Sequence, residues 1–114
     1  MRRAVLLLAL CLAWPAWAEE RLNFWNLTSS TVTNLAMAPA GTSQFGPNQC
    51  ANDPDGVVDH DERLRLTGVA PGRYDVMLTT KAGRTCTVRN VLAKASGKYA
   101  FSLSDGDLTE CSAP

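Results

Sequence analysis

The chain encodes an all-β fold, a small antiparallel β-sandwich of about six to seven strands, and three features predict it. Over residues 21–104, apolar and polar residues alternate in short runs. Gly, Pro, Asn or Ser interrupts those runs every eight to twelve residues, the rhythm of a sandwich or barrel. No stretch in that span sustains a 3.6-residue apolar period, so helices are not expected.

The first eighteen residues read as a secretory signal and stand apart from the fold. Arg2 and Arg3 form a basic start, "AVLLLALCLA" (Ala4–Ala13) is apolar, and Ala16-Trp17-Ala18 is a small–x–small cleavage site. A bilayer span takes about twenty apolar residues, so this run is too short to cross one. The large Leu10 before Cys11 argues against a lipoprotein signal, and the lack of Ser or Thr before the arginines argues for general secretion. The expected mature domain is 19–114, periplasmic or secreted, with no membrane insertion after cleavage. The whole chain balances 11 basic against 11 acidic residues, and loss of Arg2 and Arg3 leaves the domain slightly acidic. That charge gives no reason to expect nucleic acid as a partner.

Each strand has a local reason. "RLNFWNL" (21–27) and "TVTNLAMAP" (31–39) flank the turn residues "TSS" and read as a first hairpin. Val32 and Leu35 fall out of alternation while Leu35 and Met37 fall in, which places a bulge near Thr33-Asn34. A Gly-, Pro-, Ser- and Asn-rich loop covers 40–56. "ERLRL" (62–66) turns Leu64 and Leu66 inward, and "RYDVMLTT" (73–80) turns Tyr74, Val76 and Leu78 inward. "RTCTVRNV" (84–91) places Cys86 and Val88 on one face, and "KYAFSL" (98–103) groups Tyr99, Phe101 and Leu103. Pro71-Gly72 suits a type II turn, and "KAGR" (81–84) a hairpin turn. Trp25 and Phe45 belong either to the core or to an exposed binding patch, and the core is favoured for large aromatics.

"NDPDGVVDHDE" (Asn52–Glu62) gathers five carboxylates and the only His of the chain. With Gly56 as the sixth residue of a twelve-residue calcium loop, Asp53, Asp55, Val57 (by its carbonyl), Asp59 and Glu62 take ligand positions. The first position is Ala51, which has no carboxylate, and the flanks are not helical. Two solvated turns, "DPDG" and "DHDE", on either side of a Val57-Val58 edge strand explain the same residues without a metal. Turns are the leading reading and Ca2+ the alternative; no other cofactor is expected. His60 sits between acidic neighbours in an exposed turn. No Gly-x-Ser-x-Gly elbow, His-Glu-x-x-His pair or phosphate-cradling Gly loop occurs, so no catalytic residue is assigned and an enzyme is not expected.

Beyond the signal lie Cys50, Cys86 and Cys111, without a Cys-x-x-Cys pair and with too few partners for zinc. One disulfide in an oxidising compartment is expected. Pairing 84–91 with 98–103 as a hairpin would return the chain to Cys86 shortly before Cys111, favouring Cys86–Cys111, with Cys50–Cys111 as the alternative. Cys50 is then free, buried or intermolecular. Asn26-Leu27-Thr28 is formally a glycosylation acceptor at turn residues.

Asn26-Leu27-Thr28, Pro39-Ala40-Gly41, Phe45-Gly46, Tyr74-Asp75 and Gly83-Arg84 together resemble a family of small exported proteobacterial proteins of unassigned function. Leu66-x-Gly68-Val69-x-Pro71-Gly72-x-Tyr74-x-Val76 is locally similar to prealbumin-like and Cna B-type sandwich modules. The resemblance implies an exported sandwich and no chemistry. The expected function is a binding or interaction module, an accessory subunit or an inhibitor, acting on an unknown protein partner. A calcium-dependent module using 53–62 is the alternative. An exposed apolar patch at Trp25 or Phe45 would favour the first, and converging carboxylates the second.

Overall fold

The computed structural model describes residues 22–95 and 97–113; the expected signal segment, 1–18, lies outside them. Six strands follow in order: β1 (Leu22–Leu27), β2 (Val32–Pro39), β3 (Arg63–Leu66), β4 (Gly72–Thr80), β5 (Thr85–Ala93) and β6 (Phe101–Ser104). Two short 3-10 turns, Gln49–Asn52 and Asp105–Asp107, complete them. One sheet has the order β3-β1-β6 and the other β2-β4-β5. The all-β fold is as the alternation predicts.

The alternation becomes burial. Leu22, Phe24 and Asn26 of β1 point inward, as do Leu64 and Leu66 of β3 and Phe101 and Leu103 of β6. From the other sheet, Leu35, Val76, Leu78 and Cys86 meet them in one core. Phe24 and Phe101 are register partners whose ring centroids lie 5.2 Å apart. β2 slips register between Val32 and Asn34, the bulge that its broken alternation predicts.

Four expectations need correction. β1 and β2 do not form a hairpin, since they lie in different sheets and residues 28–30 cross between the sheets. β5 and β6 are likewise split between sheets, and β6 pairs with β1 in parallel, so the sheet is mixed. Alternation records which face a residue shows and not which strand lies beside it. Tyr99 precedes β6 and is 37% exposed, so it does not join Phe101 and Leu103 in the core. Gly72 opens β4 at φ 156, far from the value near +80 that a type II turn requires.

The pairing Cys86–Cys111 is present although the hairpin invoked for it is not. After the 3-10 turn at Asp105–Asp107 the C-terminal tail runs back along β5. Thr87 N donates to Thr109 O (3.1 Å), and Ser112 N donates to Thr85 O (2.8 Å). The tail thus covers the outer edge of β5, and the disulfide staples it there. Elsewhere, Val58 exchanges two backbone bonds with Val32 and covers the start of β2. Side chains cover β3: Asn52 Nδ2 donates to Arg65 O (2.7 Å) and Gln49 Nε2 to Thr67 O (3.0 Å).

Cys50 is fully buried and free. Burial, with Asp53 nearby as a second cause, pushes its thiol up to about 11. Alkylation of the folded chain at pH 8 should therefore leave Cys50 unlabelled, and labelling should appear only on denaturation. Mass spectrometry of native and denatured samples checks this; stoichiometric native labelling would contradict the burial.

A second irregularity carries a charge. β4 and β5 slip register between Tyr74 and Val76, leaving Asn90 N without a ladder acceptor. Asp75 Oδ1 accepts that N–H at 2.9 Å, and Oδ2 accepts Gly41 N at 2.9 Å and faces Arg89 at 3.3 Å. Arg89 in turn grips Glu110 of the tail with two bonds of 3.0 Å. The N–H groups of Gly41 and Asn90, then Arg89, hold the Asp75 carboxyl below the usual range. A lowered folded value means the stabilisation is complete above the unfolded value, about 3.9, and is lost as pH falls through the folded value. Asp75→Asn should thus melt lower at pH 6 and show a shallower fall below pH 4 than the wild type. Thermal melts across pH 2–7 test this, and an unchanged acid slope would refute it.

Candidate interaction face

The outer face of the β3-β1-β6 sheet carries an aromatic pair, Trp25 and Tyr99. Alternation in β1 sends Trp25 outward, between Arg63 on β3 and Ser102 on β6, its two register partners. The Arg63 guanidinium lies 4.5 Å from the Trp25 ring centroid, a cation–π distance. Trp25 Nε1 donates to Asp61 Oδ1 at 3.0 Å. Tyr99 packs beside it, centroid to centroid 5.0 Å at a 54° tilt. Three contacts fix the ring, so a half-buried tryptophan is held in one orientation while part of it faces solvent. Arg65 stands exposed beside Asn23 on the next row.

The favoured core placement of Trp25 is therefore corrected, and Phe45 is likewise half-buried in its loop outside the core. Leu22 and Phe24 already occupy the inward positions of β1 on either side of Asn23, which leaves Trp25 the opposite face. Neither Arg63 nor Asp61 is marked by the sequence, and Tyr99 is marked only as an inward residue; the β1–β3 register brings Arg63, and the turns before β3 and β6 bring Asp61 and Tyr99, to Trp25.

The acidic stretch forms two turns separated by the Val58 bridge to β2. Gly56 N bonds Asp53 O (3.0 Å) in the first, and Glu62 N bonds Asp59 O (3.1 Å) in the second. The carboxylates turn to local partners. Asp53 Oδ2 accepts Asp55 N at 2.8 Å, Asp59 Oδ1 accepts Thr31 Oγ1 at 2.7 Å, and Glu62 Oε1 accepts Asp59 N at 2.9 Å. Asp55 is exposed and Val57 half-buried. His60 Nδ1 lies 2.8 Å from Thr28 O. Among the described residues, no three His, Cys, Asp or Glu side chains gather as metal donors.

Calcium provides a direct test of this loop. A site with Kd near 10⁻⁴ M, at about 10 mM calcium, would add about 2.7 kcal/mol. In a domain this small that is a melting shift on the order of 10 °C. The expected result is no shift. A shift abolished by Glu62→Gln would establish a metal site at 53–62.

No protein-family model, curated protein or solved structure matches this chain.

Proposed function

We propose that the chain is an exported, non-enzymatic binding or interaction module that meets a protein partner through the outer face of the β3-β1-β6 sheet. The orientation of Trp25 carries this reading: a large aromatic outside the core, fixed by Arg63, Asp61 and Tyr99. A partner that buries such a ring loses little side-chain entropy, and Trp, Tyr and Arg are the residues on which binding energy concentrates. The Cys86–Cys111 disulfide fits an oxidising compartment, as does the expected signal segment.

Trp25 also supplies the measurement, because the other two tryptophans, Trp14 and Trp17, fall within the expected signal. Intrinsic fluorescence of chain 19–114 then reports on this face alone. A partner retained by the immobilised chain should shift that emission and should be lost with Trp25→Ala, while the melting temperature of the variant stays close to wild type. Retention of every partner by Trp25→Ala would refute the face. Intact mass of the exported protein should place its N-terminus at Glu19; a form retaining the apolar run would refute export with cleavage at Ala18.

A further inference from the structure

We infer that the contact surface of the partner is acidic and presents carboxylate side chains to Arg63 and Arg65; this rests on the reading of the Trp25 face as the binding surface. Alternation sets the charge of that face. Leu64 and Leu66 point inward from β3, so Arg63 and Arg65 stand outward, both exposed and about 7 Å apart along the strand. The other outward residues are Asn23, Trp25 and Leu27 on β1 and Ser102 and Ser104 on β6. The three strands therefore bring two cations and no carboxylate to this face. The domain as a whole is slightly acidic, so the face differs from it in sign and favours a negative partner.

Neither guanidinium is spent inside the described chain. Both ion pairs among the described residues belong to Arg89, which is held by Asp75 and Glu110. Asp61, in the turn before β3, accepts Trp25 Nε1 on its Oδ1. The Trp25 contact engages the charge of Arg63 but no oxygen acceptor, so its N–H fork stays available to a carboxylate, which it matches in two-bond geometry. Arg65 also lines a surface cavity of about 300 Å³ with residues 66–71, and it is the sole charged residue in that lining among the described residues. A small cavity with Leu66, Val69 and Pro71 in its wall and one guanidinium fits an aliphatic stem that ends in a carboxylate, which is a glutamate side chain.

A nucleic acid or an acidic polysaccharide fits less well. Such chains bind through runs of neutralised anions, and here the Asp61 carboxylate lies against the same ring as Arg63. Discrete carboxylates on a protein can meet Arg63 and Arg65 and stay clear of Asp61.

The test uses oxidised chain 19–114 and a displayed library of random dodecapeptides, with heparin and duplex DNA as polyanion probes. Enriched peptides should carry paired Asp or Glu residues and shift the Trp25 emission. Arg65→Gln should weaken them at least about tenfold, and Arg65→Glu should turn the selection toward basic peptides. The Arg65 side chain is exposed and in no ion pair among the described residues, so both variants should melt close to wild type. No enrichment, enrichment without acidic bias, or acidic peptides indifferent to Arg65→Glu overturns the inference. Saturable binding of heparin or DNA at about 150 mM salt, in place of acidic peptides, overturns it as well. Peptides lost with Trp25→Ala but indifferent to Arg65→Glu overturn it while leaving the Trp25 face as the binding surface; peptides indifferent to both overturn the face too.

Discussion

Removing the Cys86–Cys111 bridge should lower the stability of the folded domain by about 3.5 kcal/mol, the chain-entropy value for a loop of this size. The two cysteines are 25 residues apart, and the closed loop contains β6 and most of the tail. Cys111→Ser is the informative variant. Cys111 is half-buried, whereas Cys86 is fully buried and its replacement would add a core penalty to the loss of the bridge. The corresponding fall in melting temperature is roughly 15–25 °C for a domain of this size. Loss should be local as well as global. The amides of Thr87 and Ser112, which bond across the tail, should exchange faster than those of β4 in the variant. Peptide mapping without reduction should link Cys86 to Cys111; a link from Cys50 to either would refute the pairing.

The correct disulfide came from an incorrect route, and the reason is physical. Cys86 and Cys111 meet because the tail pairs with β5, through Thr85 and Thr87, and not because β6 does. Residues 105–112 show little apolar alternation, so nothing in them announces a strand-like run. What was legible is what burial dictates locally: the inward set Leu64, Leu66, Val76, Leu78, Phe101 and Leu103, and the bulge in β2. What was not legible depends on partners distant in sequence. The parallel β1–β6 pairing has no local signature, and the sheet crossing at 28–30 uses the same turn residues that a hairpin would.

The candidate face follows the same division. Alternation in β1 was enough to turn Trp25 outward, and the preference of aromatics for the core wrongly outweighed it. Arg63 and Asp61 reach Trp25 only through the β1–β3 register and the turn before β3, neither of which the sequence specifies. The acidic stretch was legible as two turns because Asp, Pro and Gly act through bonds within a few residues.

Asn26→Asp should be the most damaging near-isosteric change in the molecule, costing about 3–5 kcal/mol at pH 7. Asn26 is fully buried, and all of its amide is used. Nδ2 donates to Ser30 O and Val58 O, both at 2.9 Å, and Oδ1 accepts Thr28 N (3.0 Å) and Thr28 Oγ1 (2.6 Å). One side chain thus joins β1, the sheet crossing and the bridge that covers β2. A carboxylate keeps the shape and the acceptors but places an anion against two carbonyl oxygens. The same burial keeps Asn26-Leu27-Thr28 from serving as a glycosylation site in the folded chain. The pH dependence should run opposite to that of Asp75. Burial disfavours the charged form and raises the folded value of the introduced carboxyl, so its penalty grows as pH rises above the unfolded value and is relieved toward acid. The backbone of Asn26 also accepts Asp61 N at 2.6 Å and donates to Glu62 O at 3.0 Å, which sets the turn whose Asp61 holds Trp25. The variant should therefore show a red-shifted Trp25 emission even where it remains folded. Denaturation and fluorescence from pH 4 to 8 measure both effects, and a loss below about 1 kcal/mol with unchanged emission would show that Asn26 neither secures the sheet crossing nor positions Asp61 beside Trp25.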